Sequence, residues 1–394
     1  MITPTQSTYP WRRLAIGGAG VLLVGMGLGR FSYTPLIPAI VTDGALSAAE
    51  AGYVGAFNLA GFVFGALVEP KLRRRWGERR SLQIALIAAL ACLIASTAPW
   101  GFTWLAFWRG LVGVCVGVMM IQALTVVTRA TPPNHLGAAT GMVFTGVGVG
   151  IVLSGILIPK LLAYGLFGAW VGIAGIGAVG VCIAFWGLAG NIPEITAASE
   201  DPAQSTSTIH PADAARLIAS QGLFTVGLIA HTIYWIDYLV RGLGHDMAFG
   251  GAHWALFGLG ALTGTYLWGR LADKIGFQAG LVLVFASLAA SVALPVLNSS
   301  TWALIASSLI VGAQPGCSAL LSGRAHQIVG GAEMPKLWRR MTISSGICQA
   351  IGSYALVALF NWDGDYQPIF LVSAATMALG ALATAGLRPV QSAG

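Results

Sequence analysis

GRLADKIG, residues 269–276, sets two glycines, one acid and two cations into eight positions between two apolar runs. The run before it, near 250–271, and the run after it, near 277–297, are each about the 20 residues that cross a bilayer as a helix. A charged connection this short implies two membrane helices that run in opposite directions. Outward from this stretch, further apolar runs fall near 14–40, 49–69, 81–99, 102–127, 137–160, 168–190, 216–239, 302–323, 339–360 and 367–387. That makes twelve candidate spans. The composition agrees: 56% of the 394 residues are hydrophobic and 9% charged, against about 25% charged in a soluble domain. A water-soluble fold is excluded.

With the N-terminus inside, 17 of the 21 Lys and Arg fall on the inner side, Lys160 and Arg241 fall outside, and Arg30 and Arg109 lie within spans. The bias obeys the positive-inside rule. The net charge of +7 is therefore topological and implies no nucleic-acid partner. Arg12 and Arg13 precede the first run as in a secretory signal, but the run passes Arg30 without a small-residue cleavage site, so it reads as an uncleaved helix. Both termini are expected in the cytoplasm. The five cysteines all lie in apolar stretches, which argues against a disulfide framework.

The polar segment 191–216, rich in Pro, Ser, Thr and acids, divides six spans from six. Residues 1–190 are thus expected to form one six-helix bundle, 191–216 a cytoplasmic linker, and 217–394 a second bundle. Gly65, Leu67 and Glu69 match Gly269, Leu271 and Asp273 at an offset of 204, which suggests an internal repeat. That register sets Tyr234 opposite Arg30, and Arg109 opposite Ala313, beside Gln314. Glycine pairs at four-residue spacing, Gly61 with Gly65, Gly113 with Gly117 and Gly260 with Gly264, are expected to pack helices closely.

After the eighth of twelve spans, GRLADKIG resembles the GxLaDrxG loop signature of the major facilitator superfamily. The first-half copy departs from it, with Glu69 and Pro70 followed by Arg73, Arg74, Arg75 and Gly77. Arg109 with Gly113 and Gly117 is similar to the family's intramembrane arginine motif. The glycine-dense 146–159 lacks the Gly-Pro pair of the antiporter signature. GLGRFSYTPLIP, 27–38, together with that string resembles the YbfB/YjiJ-type branch. The resemblance implies an all-α membrane protein of 12 transmembrane helices in two pseudo-symmetric six-helix bundles, a secondary transporter of the bacterial inner membrane. It also implies that Gly269, Asp273 and Gly276 act at the inner gate.

A charge at the bilayer centre costs about 2.5–3.5 kcal/mol or more, so intramembrane ionisable groups face protein or water. Arg30 and Arg109 sit at matching depth, roughly 10–15 Å below the outer surface at 1.5 Å per residue. Either they satisfy helix carbonyls, or they bind the anionic end of a substrate with Tyr33, Tyr234, Trp235 and Gln314 around it. On the seventh span, His231, Tyr234, Trp235 and Tyr238 share one face. Asp237 is the acid well inside a span; it either pairs with Arg241 four residues on or carries a coupling proton, as His231 could.

No HExxH, CxxC or His–carboxylate cluster is present, so neither enzyme, metal nor cofactor is expected. The expected function is secondary transport by alternating access of a small organic anion with protons, by a monomer in the lipid bilayer. The alternative is an exporter of lipophilic or cationic drugs, which 13 Trp and 16 Phe would suit if they line the cavity.

Overall fold

The computed structural model describes residues 11–98, 100–132, 135–189 and 210–388, with 330–333 and 335 as backbone. These are helical almost throughout. In chain order the helices are α1 (Trp11–Thr42), α2 (Ala48–Trp76), α3 (Glu78–Ala95), α4 (Gly101–Arg129), α5 (Leu136–Leu161) and α6 (Gly165–Gly187). The second half holds α7 (Pro211–Gly242), α8 (Met247–Ile275), α9 (Phe277–Leu297), α10 (Thr301–Val329), α11 (Lys336–Asp363) and α12 (Gln367–Ala385). Among the described residues, nine segments are long and apolar enough to cross a membrane, one of which, Leu136–Gly187, comprises α5 and α6. The helices α3 and α8 fall short of that criterion, α3 because it opens on Glu78, Arg79 and Arg80.

Two boundaries differ from expectation. Helix begins at Pro211, where His210 accepts from the backbone N–H of Ala212, so 211–216 belong to α7 rather than to a linker. Residues 191–209 lie outside the described residues. Between α10 and α11 the chain stays helical, a single run from Pro315 to Asp363, where a loop between 323 and 339 was expected.

Packing repeats between the halves: α1 lies on α5 and α6, α2 on α4, and α3 on α4 and α6, while α7 lies on α11 and α12, α8 on α10, and α9 on α10 and α12. The packing fixes the register. A Cβ on Gly61 or Gly65 would collide with the carbonyl oxygen of Gly110 or Val114, and one on Gly260 or Gly264 with that of Leu309 or Ala313. Only glycine lets these backbones approach so closely, as their spacing predicted. Each residue of the first set lies 199 before its counterpart, and so do the left-handed turn glycines Gly77 and Gly165 before Gly276 and Gly364. The offset is therefore 199, not 204. Arg109 stands opposite Ser308, Arg30 opposite Ile229, and Asp273 opposite Arg74 rather than Glu69.

Exposed aromatic residues mark two levels, Trp76 and Trp186 at the end that carries most arginines (the basic face) and Trp100, Tyr164, Trp302 and Trp362 at the opposite face. These are the positions at which aromatic belts meet lipid headgroups. The halves touch through α2 with α11 and α5 with α8. On α5, Gly141, Gly148 and Gly155 share a face at seven-residue spacing. A Cβ on Gly155 would collide with the Gly251 oxygen and one on Gly148 with the Leu262 side chain, while one on Gly141 would meet nothing within 4 Å, nor would one on Gly269 of α8. The halves are thus closed toward the opposite face and part toward the basic face.

Candidate functional site

At the centre, α1 departs from α-helical winding. Leu23–Arg30, with glycines at 25, 27 and 29, is π-helical, and Phe31–Leu36, which contains Pro35, is 3-10. Such a transition leaves carbonyls without their regular partners, and π segments often occur at functional sites. Arg109 of α4 meets this need: its Nη2 donates to the Gly29 carbonyl at 2.6 Å and contacts the Arg30 carbonyl at 3.4 Å. Asn58 of α2 donates to the Gly29 carbonyl at 3.2 Å and to the Arg109 carbonyl at 2.9 Å. Tyr33 lies under the guanidinium, 5.1 Å from ring centroid to Cζ, with Trp170 at 5.7 Å, and its hydroxyl donates to the Ala51 carbonyl. Arg109 is fully buried, and its Nε and Nη1 have no hydrogen-bond partner. Of the two sequence alternatives, satisfaction of helix carbonyls describes Arg109 in this conformation.

Arg30 differs. Its Cζ lies 5.3 Å from the Phe31 ring and 5.6 Å from the Phe62 ring of α2, and no ion pair is formed with it among the described residues. It is part-exposed, as is Met26 one turn earlier, although nearly all of α1 around them is buried. Because α1 lies within the bundle, that exposure faces space between the halves. Arg109 reaches the backbone of Arg30, so the two arginines are adjacent, one gripping the helix and the other projecting from it.

Opposite them, α7 carries π segments at Ala230–Tyr234 and Tyr238–Gly242. His231 is fully buried, hydrogen bonded through Nε2 to Ser307 Oγ at 2.8 Å and stacked on Trp235 at 4.6 Å. Trp235 donates to Ser308 Oγ at 3.2 Å, which also meets His253 Nδ1 of α8 at 2.9 Å. Trp235 is thus a packing and hydrogen-bonding residue inside the second half. Asp237 is buried, accepts from the Tyr366 hydroxyl at 2.7 Å, and lies 3.4 Å from Arg241 Nε. Tyr234 sits among Phe360 and Tyr366, with its hydroxyl unbonded and facing Gly52 of the other half. Gln314 is part-exposed at the break between Gly312 and Pro315 in α10.

At the closed side, the Thr34 hydroxyl donates to the Thr232 carbonyl, and Phe31 packs on Trp254 and Phe257, 6.2 and 6.5 Å between centroids. At the basic face, Asp273 is exposed and forms no ion pair among the described residues; Gly276, at φ +86°, turns α8 into α9. Glu69 instead belongs to a buried cluster, where it accepts from Gln122 at 3.2 Å and pairs with Arg73 at 3.3 Å. Asn58, His253, Ser307, Ser308 and Tyr366 are hydrogen-bonding neighbours of these residues that the sequence did not single out. The polar residues at 58 and 307–308, within apolar runs, were the available signal.

The family model described as "Uncharacterised MFS-type transporter YbfB" matches residues 22–385. The chain belongs to this MFS-type transporter family. Among its relatives, the 3-(3-hydroxy-phenyl)propionate transporter of Escherichia coli is 26% identical over 66% of this chain and 66% of that protein. The 4-hydroxybenzoate transporter PcaK of Pseudomonas aeruginosa is 28% identical over 41% of this chain and 35% of its own. The crystal structure of a D-xylose-proton symporter superposes with a TM-score of 0.74 at 14% identity, covering 96% and 98% of the two chains, and so shares the MFS fold. The protein is therefore a multi-pass membrane transporter rather than an enzyme.

Proposed function

We propose that this MFS-type transporter moves small aromatic or other organic carboxylates by alternating access, driven by protons. The observation that carries the proposal is Arg30: a part-exposed arginine deep in the bundle, its Nε buried without a hydrogen-bond partner, with no acid partner among the described residues and flanked by the Phe31 and Phe62 rings. Such a group grips a carboxylate with two parallel hydrogen bonds, and the neighbouring rings offer an apolar wall to the rest of the ligand. The names of the hydroxyphenylpropionate and hydroxybenzoate transporters support this substrate class. Arg109 holds the Arg30 backbone from behind, and Tyr33, Tyr234 and Gln314 supply further contacts as the halves move. A thermal-shift screen of the purified protein tests the reading, since a ligand of the folded state raises its stability. Aromatic carboxylates should raise the melting temperature and their amides should not; stabilisation by lipophilic cations instead would favour drug export.

The coupling proton is carried by α7, on His231 or Asp237. The 17 to 2 charge bias supports an inner-membrane orientation with both termini cytoplasmic. In intact cells an impermeant thiol reagent should then label a cysteine placed at Ser299 and not one at Ser205; labelling of Ser205 would reverse the orientation. The parted basic face is then the cytoplasmic one, and the conformation is inward-facing.

Gly269, Asp273 and Gly276 form the inner gate of the second half. The open side and the unpaired Asp273 support a contact that forms only on closure. Asp273→Asn should lower cross-linking between cysteines placed across that gate, at Gly141 and Gly269, while expression is kept. Unchanged cross-linking would rule the contact out.

A further inference from the structure

We infer that the junction of α2 and α3 binds the phosphate headgroup of an anionic phospholipid. Gly77, at φ +76°, joins the two helices with no intervening loop, so the arginine-rich end of α2 and the start of α3 lie together at the basic face. Lys71, Arg74, Arg75 and Arg80 are all exposed there, beside Trp76, which is 44% exposed. The cations of this segment that do have acid partners point elsewhere: Arg73 turns to the buried Glu69. Glu78, the acid at the junction, is engaged by Arg129 of α4 at 2.9 Å and does not neutralise the cluster.

The second observation is the surface next to the charges. Arg80, Ile84, Ile87, Ala91 and Ile94 form one exposed stripe along α3 at three- and four-residue spacing, while the other face of α3 is buried against its neighbours. The stripe is apolar for its whole length and ends in a cation at the headgroup level. A phospholipid has the complementary form, with acyl chains along the stripe and a phosphate at the cluster. Basic surfaces between membrane helices on the cytoplasmic side select such headgroups, and four cations within ten residues favour the two phosphates of cardiolipin over one.

A general inward bias of positive charge would place cations on both halves alike. It accounts for Lys71 and Arg75, whose counterparts at the repeat offset of 199 are Arg270 and Lys274, but not for Arg74 and Arg80, which stand opposite Asp273 and Ala279. The second half thus carries two cations and an acid where the first carries four cations.

Native mass spectrometry of the purified full-length protein with added cardiolipin tests the inference. A variant carrying Lys71→Gln, Arg74→Gln, Arg75→Gln and Arg80→Gln should bind cardiolipin at least about tenfold more weakly. A control carrying Arg270→Gln, Lys274→Gln, Arg339→Gln and Arg340→Gln removes as much charge from the same face and should bind as the parent does. Phosphatidylethanolamine should be retained poorly by all three. Equal losses in the two variants would reduce the effect to net charge, and no loss in the first would overturn the site. Displacement of cardiolipin by millimolar inorganic phosphate would assign the cluster to a free anion instead. If the fourfold variant is not recovered from the membrane, Arg80→Gln alone should weaken binding about threefold, and parental binding by it would count against the inference.

Discussion

Arg30→Ala is expected to abolish binding of the carboxylate that the thermal-shift screen identifies, and Arg30→Lys to weaken it about ten- to a hundredfold, with folding retained. The size of the effect reflects the hydrogen bonds that the variants cannot make. A hydrogen bond to a charged group contributes about 1.5–3 kcal/mol, and each 1.4 kcal/mol is about a factor of ten in affinity. Lysine keeps the charge but offers a point rather than a planar fork. Folding should survive because Arg30 has no acid partner among the described residues, so truncation leaves no buried counter-charge. The drug-export alternative predicts the reverse order, with Lys tolerated at position 30 and aromatic substitutions near Tyr234 and Trp235 dominant. Isothermal titration of the two Arg30 variants decides between them, and native affinity in Arg30→Lys would end the anion reading.

Arg109 enters the same prediction by another route. Its Nη2 reaches the carbonyls of Gly29 and Arg30, the last two residues of the π segment, just before α1 changes to 3-10 winding. Replacement by Lys should therefore lower the melting temperature as well as the affinity. Combination with Arg30→Lys should add little further loss of affinity, because both act on one grip. Full additivity would mean that Arg109 binds the ligand independently.

The spans and the glycine packing were legible because they depend on composition and local spacing. Gly61 with Gly65 and Gly260 with Gly264 read as close-packed pairs, and each proves to face a backbone carbonyl. The repeat register was misread for a physical reason. Gly65-Leu67-Glu69 resembles Gly269-Leu271-Asp273 in letters, but the register is set by where backbones touch and where the chain turns. Gly77 and Gly276 carry that information through their left-handed φ. Satisfaction of helix carbonyls was one of the two readings of Arg109, but which carbonyl it serves was not legible, since Gly29 lies where α1 takes up π winding. Nor was His253, which acquires its partner Ser308 from a helix 55 residues away in sequence.

Among the α7 candidates for the coupling proton, His231→Gln should separate transport from proton drive. Ser307 Oγ donates its one hydrogen to the Ser291 carbonyl at 2.6 Å, so at its 2.8 Å contact with His231 it accepts, and Nε2 of the neutral imidazole bears the proton. Nδ1 is then a bare acceptor, buried and without a hydrogen-bond partner. A proton taken there makes a cation between the Trp235 ring, stacked at 4.6 Å, and the Phe370 ring at 5.4 Å, an environment in which aromatic faces partly offset lost hydration. Glutamine can still donate to Ser307 but offers no basic nitrogen. In proteoliposomes, His231→Gln should exchange labelled for unlabelled substrate at close to the parental rate while losing accumulation driven by a pH gradient. Asp237 is the comparison, because its carboxylate is already held by Tyr366 and Arg241. If accumulation survives in His231→Gln and fails in Asp237→Asn, the proton rides on the carboxylate, and its loading must break the Arg241 pair in each cycle.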